Sequence, residues 1–201
     1  MYWPPFAAAS PRKPDGKTAF LKYVSPVQLN LQVPDDSSVG NVIVTVTNSS
    51  GSGSASTVMQ AVMPGVFTSA NCVLAVRPAD GTVLDGTGAS ARPGDVLEIF
   101  GTGMGPTAPA AAAGLVFSDA RAAIATPTVT IGGDAAPVSY CGLVGAGLYQ
   151  INLTVPSSLG TGTYPVVVTQ GGVSSPSTAV LKVASDARPP EKSLPYGRGS
   201  L

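Results

Sequence analysis

One passage of this chain occurs twice. Gln28-Leu29-Asn30-Leu31-Gln32-Val33-Pro34, followed by Gly40 and Val44-Thr45-Val46-Thr47, returns ungapped at a constant offset of 122 positions. The second occurrence reads Gln150-Ile151-Asn152-Leu153-Thr154-Val155-Pro156, then Gly162 and Val166-Val167-Val168-Thr169. With a few extra residues allowed in the Gly-rich stretch 142–147, Gly16 and Tyr23 align with Gly133 and Tyr140. A repeat this long predicts two copies of one folding unit, a stronger constraint than any single-residue motif. At 201 residues the chain has room for two units of about 100 residues each.

The repeated text has the period of a strand. In 28–33 polar and apolar residues alternate strictly, which turns Leu29, Leu31 and Val33 to a core and Gln28, Asn30 and Gln32 outward. Further strands are predicted at 18–24, 42–47 and 55–62 in the first copy. In the second they are predicted at 96–100, 127–131, 135–140, 148–155, 162–169 and 177–183. Gly, Pro and Asn punctuate them at the short spacing of a β-sandwich. Ala-rich stretches at 110–113 and 120–123 are interrupted by Pro106, Pro109 and Gly114, which predicts a long loop there with at most a short turn.

The expected organisation is all-β. A Pro-rich lead over 1–14 is predicted to be disordered. A partial β unit follows over 15–66, then a connector over 67–92 with a short hairpin around Asp80-Gly81. A fuller sandwich spans 93–184, and a polar, Pro-rich tail over 185–201 is again predicted to be disordered. Pro64-Gly65-Val66-Phe67 reads as the hinge between the copies, with Phe67 as an apolar plug. Residues 93–132 precede the repeated half of the second copy and have no counterpart ahead of Gly16. The first copy therefore reads as truncated at its N-terminus, with sheet edges and one core face uncovered.

Composition removes several functions. The chain has no histidine, so neither a Ser-His-Asp nor a Cys-His machine can be assembled, and the expectation is no enzyme. Eleven basic and eleven acidic residues cancel and are scattered, which argues against nucleic acid as a partner. Charged residues make up 11%, so much of the surface must be Ser, Thr, Gly, Asn and Gln. No apolar run is long enough to cross a bilayer, and the first residues lack the basic and apolar regions of a signal peptide. Cys72 and Cys141 are too few for a zinc cluster; they are either one disulfide or two isolated small hydrophobes. No cofactor is expected.

Candidate contacts are sparse. Gly101-Thr102-Gly103-Met104-Gly105-Pro106 follows a strand but lacks the third glycine and the helix of a dinucleotide loop, and reads as a glycine-rich turn. The outward row Gln28, Asn30 and its counterpart Gln150, Asn152 could grip sugar hydroxyls or a partner strand, or could be a solvated face bonding its own backbone. Tyr149, beside the 142–147 loop, is the aromatic best placed to be exposed for stacking. Asp80 and Asp85, each followed by Gly, could join other loop carboxylates around calcium, or serve their own turns.

The segments YVSPVQLNLQVP, MPGVF, RPGDVLEIFGTGMGP, PTVTIGGDAAPVSYCGL and GLYQINLTVPSSLGTGTYPVVVTQGGVSS together resemble a known family. They are similar to the uncharacterised tandem C-terminal domains carried by many large exported proteins of acidobacteria, which are in turn similar to IPT/TIG modules of the immunoglobulin-like class. The resemblance covers about residues 16–184. It implies two Ig-like (IPT/TIG-like) sandwich units in tandem, an extracytoplasmic location as part of a larger protein, and no catalytic residues. Two functions follow as expectations. The first is a structural or adhesive module that pairs with a protein partner through a sheet edge; the alternative is a carbohydrate-binding module that holds a polysaccharide beside a secreted hydrolase.

Overall fold

A computed structural model describes residues 7–12, 16–34, 39–114 and 119–185, and among these every regular element is a strand. The first part of the chain supplies β1 (Ala7–Arg12), β2 (Phe20–Val24), β3 (Leu29–Gln32), β4 (Gly40–Asn48) and β5 (Gly51–Met59). Short strands follow: β6 (Gly65–Val66), β7 (Thr68–Ser69), β8 (Cys72–Val73), β9 (Ala75–Arg77) and β10 (Thr82–Leu84). Next come β11 (Val96–Thr102), β12 (Thr107–Ala108), β13 (Arg121–Ala123), β14 (Thr128–Ile131) and β15 (Asp134–Ala136). The last are β16 (Val138–Gly145), β17 (Leu148–Thr154), β18 (Gly162–Gln170), β19 (Val173–Ser174) and β20 (Val180–Val183).

The later strands make a sandwich-like pair of sheets. One runs β10-β9-β11-β17-β16-β13-β12, with β6 also on β11, and the other runs β15-β14-β18-β20-β8-β7, with β19 on β18. Alternation in β17 decides which side chains go inside: Tyr149, Ile151 and Leu153 are buried while Gln150 and Asn152 alternate with them. Ile151 stands between Ile99 of β11 and Cys141 of β16 and is fully buried. Ile131, Val166, Val168 and Leu181 close the core from the other sheet. Each buried side chain of this kind contributes about 1.5–3 kcal/mol.

The N-terminal strands form a three-stranded sheet, β1-β4-β5, and a separate pair, β2-β3. Their local geometry follows the repeated text. In β2-β3, Leu31 faces Leu21 and Asn30 faces Tyr23, with Lys22 bulged out; in β16-β17, Leu153 faces Val138 and Asn152 faces Tyr140, with Ser139 bulged out. A threonine–serine rung closes both hairpins, Thr47 to Ser52 and Thr169 to Ser174, each at 2.8 Å. β1 lies on β4 as β14 lies on β18, with Pro11 opposite Val44 and Ile131 opposite Val166.

Several expectations give way to the structure. Residues 7–12 fall in the stretch read as a disordered lead, yet they pair with β4 as the edge strand of their sheet, the position where a sheet accepts a proline such as Pro11. Residues 1–6 and 13–14 of that lead, and 186–201 of the tail, lie outside the described residues. The connector at 67–92 contains its hairpin, Ala75 to Leu84, and it also feeds both sheets, with Val73, Ala75 and Leu84 in the core. The long loop after β11 holds the short paired strands β12 and β13.

The presumed hinge is fastened down. Met63 N–H donates to Gly103 O at 2.9 Å, β6 pairs with Gly101 and Thr102, and Phe67 N–H donates to Phe100 O at 2.8 Å. Phe67 is 42% exposed, so it is no plug; Met104, fully buried, fills that role. The glycine motif makes this docking physically possible. A Cβ at Gly103 would stand 1.9 Å from Met63 O, and one at Gly101 would stand 2.4 Å from Gly65 O. Gly103 also has φ +77°, a conformation that L side chains resist.

Candidate functional site

The repeated strands β3 and β17 meet different neighbours. β17 is bracketed by β11 on one edge and β16 on the other, whereas β3 pairs with β2 alone among the described residues. Among the described residues no strand lies on the edge of β3 that corresponds to the β11 side of β17.

Beside that edge a cleft of about 310 Å³ opens between β3 and the β4-β5 hairpin. Leu31, Val33 and Pro34 line one wall, and Val42, Val44 and Thr57 line the other. The matching positions Leu153, Val155 and Val166 are each 1% exposed, because β11 brings Leu97 opposite Leu153 and Ile99 opposite Ile151. In the first copy Leu29 and Leu31 are half-buried and Val33 is 50% exposed. Among the described residues no charged side chain lines the cleft, so what is described of it suits uncharged apolar groups.

Exposed apolar side chains occur on these strands and the turns beside them. Phe20, Leu21, Tyr23, Val27, Val39 and Ile43 are all more than a third exposed, and Val58 on the neighbouring hairpin is 57% exposed. β5 is open along nearly its whole length. The pair β2-β3 touches the later part of the chain through Gln32, whose Oε1 accepts from Gly114 N–H at 3.0 Å, and through Phe20, whose ring lies against Gly114.

The residues singled out from the sequence go to other tasks. Gln28 Nε2 donates to Asn30 Oδ1 at 2.7 Å, and Gln150 Nε2 donates to Asn152 Oδ1 at 2.8 Å. The outward row thus satisfies part of its own polarity, identically in both copies. Tyr149 is 7% exposed, a correction to its expected role as a stacking platform. It shares the inward parity of Ile151 and Leu153, and its hydroxyl donates to Gly105 O. Burial, with the neighbouring Cys141 adding to it, pushes its pKa up to about 12. Cys72 and Cys141 are both buried and both free thiols, so the disulfide is not formed. Burial pushes the Cys141 thiol up to about 11, far from the range of a nucleophilic cysteine.

The carboxylates serve turns and one ion pair. Asp80 accepts from Thr82 N–H at 3.0 Å and Asp85 accepts from Thr87 N–H at 2.9 Å. Hydrogen bonds from Thr82, then from Arg77, hold Asp80 down at about 2, and those from Thr87 lower Asp85. Arg77, 7% exposed, donates to Asp95 at 2.8 Å, to Asp80 at 3.1 Å and to Ser90 O at 2.7 Å. This is a structural knot at one end of the sandwich. Among the described residues no group of three His, Cys, Asp or Glu could hold a metal ion, and no helix is long and apolar enough to cross a membrane.

Sequence reasoning expected uncovered sheet edges and one uncovered core face, but did not place the cleft between β3 and the β4-β5 hairpin. Its signal was the pairing of two facts, a repeated inward row and the lack of a counterpart to the strand at 96–100. No protein-family model matches the chain, and no curated protein matches it.

Proposed function

We propose that this chain is a non-catalytic structural or adhesive Ig-like module, built as two IPT/TIG-like units in tandem, and that it belongs to a larger exported bacterial protein. Its work is done by open sheet edges and not by a reactive centre. The observation that carries this reading is the contrast between β17, paired on both edges, and β3, paired on one beside an uncharged apolar cleft. The resemblance to the exported acidobacterial domains points the same way, and so does a surface poor in charge.

Adhesion of protein-coated beads tests the reading. Beads bearing the chain should cluster with one another or adhere to bacterial envelope fractions, and a charge placed at the open region by Leu31→Asp or Val58→Lys should abolish this. Inert beads, or adhesion untouched by both changes, would contradict it. Retention on a polysaccharide panel that survives both changes would favour a carbohydrate-binding module instead.

A further inference from the structure

The segment after β5 and the last strand, β20, meet the sandwich at opposite ends of β11. Met63 lies beside Gly103, just past the end of β11, and Gly65 and Val66 run antiparallel along Thr102 and Gly101. Val183 lies beside Ala91, which the turn at 92–95 joins to the start of β11. β11 has seven residues, so the two points are about 20 Å apart along it. We infer that the sandwich is a tension-bearing link: a pull carried along the chain enters through residues 62–67, leaves through β20, and is resisted in shear by both. The inference goes beyond the edge-acting reading, since it holds whether or not the edge of β3 takes a partner.

Hydrogen bonds between antiparallel strands lie across the strand axis, so a pull along that axis loads all of them together, whereas a pull away from the neighbour breaks them one by one. The entering segment is pulled along its own axis. Met63 N–H donates to Gly103 O at 2.9 Å, Gly65 and Val66 pair with β11, and Phe67 N–H donates to Phe100 O at 2.8 Å. After the β7-β8 hairpin the chain resumes on the same edge of β11 as β9, with Ala75 against Ile99 and Val76 against Glu98. Val62 seats the start of the segment against both sheets: a Cβ at Gly105, after β11, would stand 3.0 Å from its Cγ1, and one at Gly171, after β18, 3.3 Å from its Cγ2. The leaving strand is held on both edges. β18 pairs with it from Gly162 facing Val183 through Pro165 facing Val180. On its other edge Val180 N–H donates to Asn71 O at 2.8 Å, Ala91 N–H donates to Lys182 O at 2.9 Å, and Ala184 N–H donates to Ala91 O at 2.8 Å. Cys72 and Ala91 run parallel to β20 and stand on the N-terminal side of the sandwich, so opposite pulls on the two ends slide them past β20 instead of lifting it away. Leu181 and Val183 are buried, and sliding β20 would drag both out of the core.

Pulling single molecules from different points separates this geometry from stability alone, because forced unfolding reports a barrier and not an equilibrium. The full chain is stretched first between handles at its two ends. It is then stretched between a handle at the C-terminal end and one on the thiol of Ser157→Cys, an exposed turn position at the end of the sandwich where β20 leaves. Both natural thiols are buried, so the introduced one takes the handle. The second geometry lifts β20 from its C-terminal end, bond by bond. Pulled end to end, residues 63–184 should open in a single event that releases about 400 Å of chain. The force of that event should be at least about twofold the force that frees β20 in the second geometry. Gly103→Ala, which crowds Met63 O, and Val180→Pro, which removes the donor to Asn71 O, should each lower the end-to-end force more, for a given loss of stability in urea, than Val129→Ala in the core of β14, a strand that pairs with neither segment. Equal forces in the two geometries, release of residues 62–77 ahead of the rest, or force losses that merely follow stability in urea would overturn the inference. The bead assay is unaffected by any of these outcomes and tests the edge-acting reading alone.

Discussion

Arg77 carries its charge into a nearly closed site, where two carboxylates and a carbonyl meet it. Burial opposes the charged form, but the hydrogen bonds and attraction from Asp80 and Asp95 outweigh it and raise the pKa of the guanidinium. Asp95→Ala would leave Arg77 with only the more exposed Asp80 and Ser90 O as partners and remove the acceptor for Arg92 N–H, with an expected loss of about 1–3 kcal/mol in urea unfolding; an unchanged stability would contradict this account. Tyr140 presents the opposite case. Its hydroxyl is buried with no hydrogen-bond partner among the described residues, so Tyr140→Phe should leave stability unchanged or raise it. Alkaline titration tests the buried ionisable pair. Cys141 and Tyr149 keep their protons in the folded chain beyond the ordinary values of 9.0 and 10.0, at which the unfolded chain releases them. The contribution of this pair should therefore be constant from neutral pH to about pH 9 and fall as pH rises toward 11 and 12, with Tyr149→Phe removing the upper part of the fall. The parity of Tyr149 with Ile151 carried its inward direction, but the reading gave weight to the neighbouring Gly-rich loop and expected exposure; the acceptor at Gly105, distant in sequence, left no signal.

Strands whose two faces differ were the easiest to read. β17 and β4 fall close to their expected bounds because alternation and flanking turn residues agree. Short strands such as β12 and β13 have two or three residues, too few for any period to register, and form because β16 offers them an edge. The glycine motif after β11 was legible as a turn but not as the bed of a distant segment, since nothing in its own residues refers to Met63. Gly103→Ala tests that bed: the added carbon collides with Met63 O at a left-handed position, so residues 62–66 should lose amide protection and stability should fall by about 1–3 kcal/mol. A variant with unchanged protection at 62–66 would show that the linker is held by other contacts.

The two parts of the molecule differ in how completely their repeated strands are covered. The core cluster draws its buried residues from positions 73–183, while among the described residues before 60 only Ala19 and Val42 are buried apolar side chains. Such a difference should appear as unequal local stability within one chain. It was foreshadowed by the missing counterpart to the strand at 96–100, whereas β1 turns out to stand where β14 does, and its consequence, a cleft beside a half-paired strand, required the sheets to be placed. Hydrogen–deuterium exchange resolved along the full chain compares repeated sequence under identical conditions. The amides of Leu29–Gln32 should exchange at least about tenfold faster than those of residues 151–154, which would correspond to a difference of about 1.4 kcal/mol or more in local opening. Equal, slow exchange in both strands would mean that β3 is covered as fully as β17, and the open edge on which the proposed function stands would not exist.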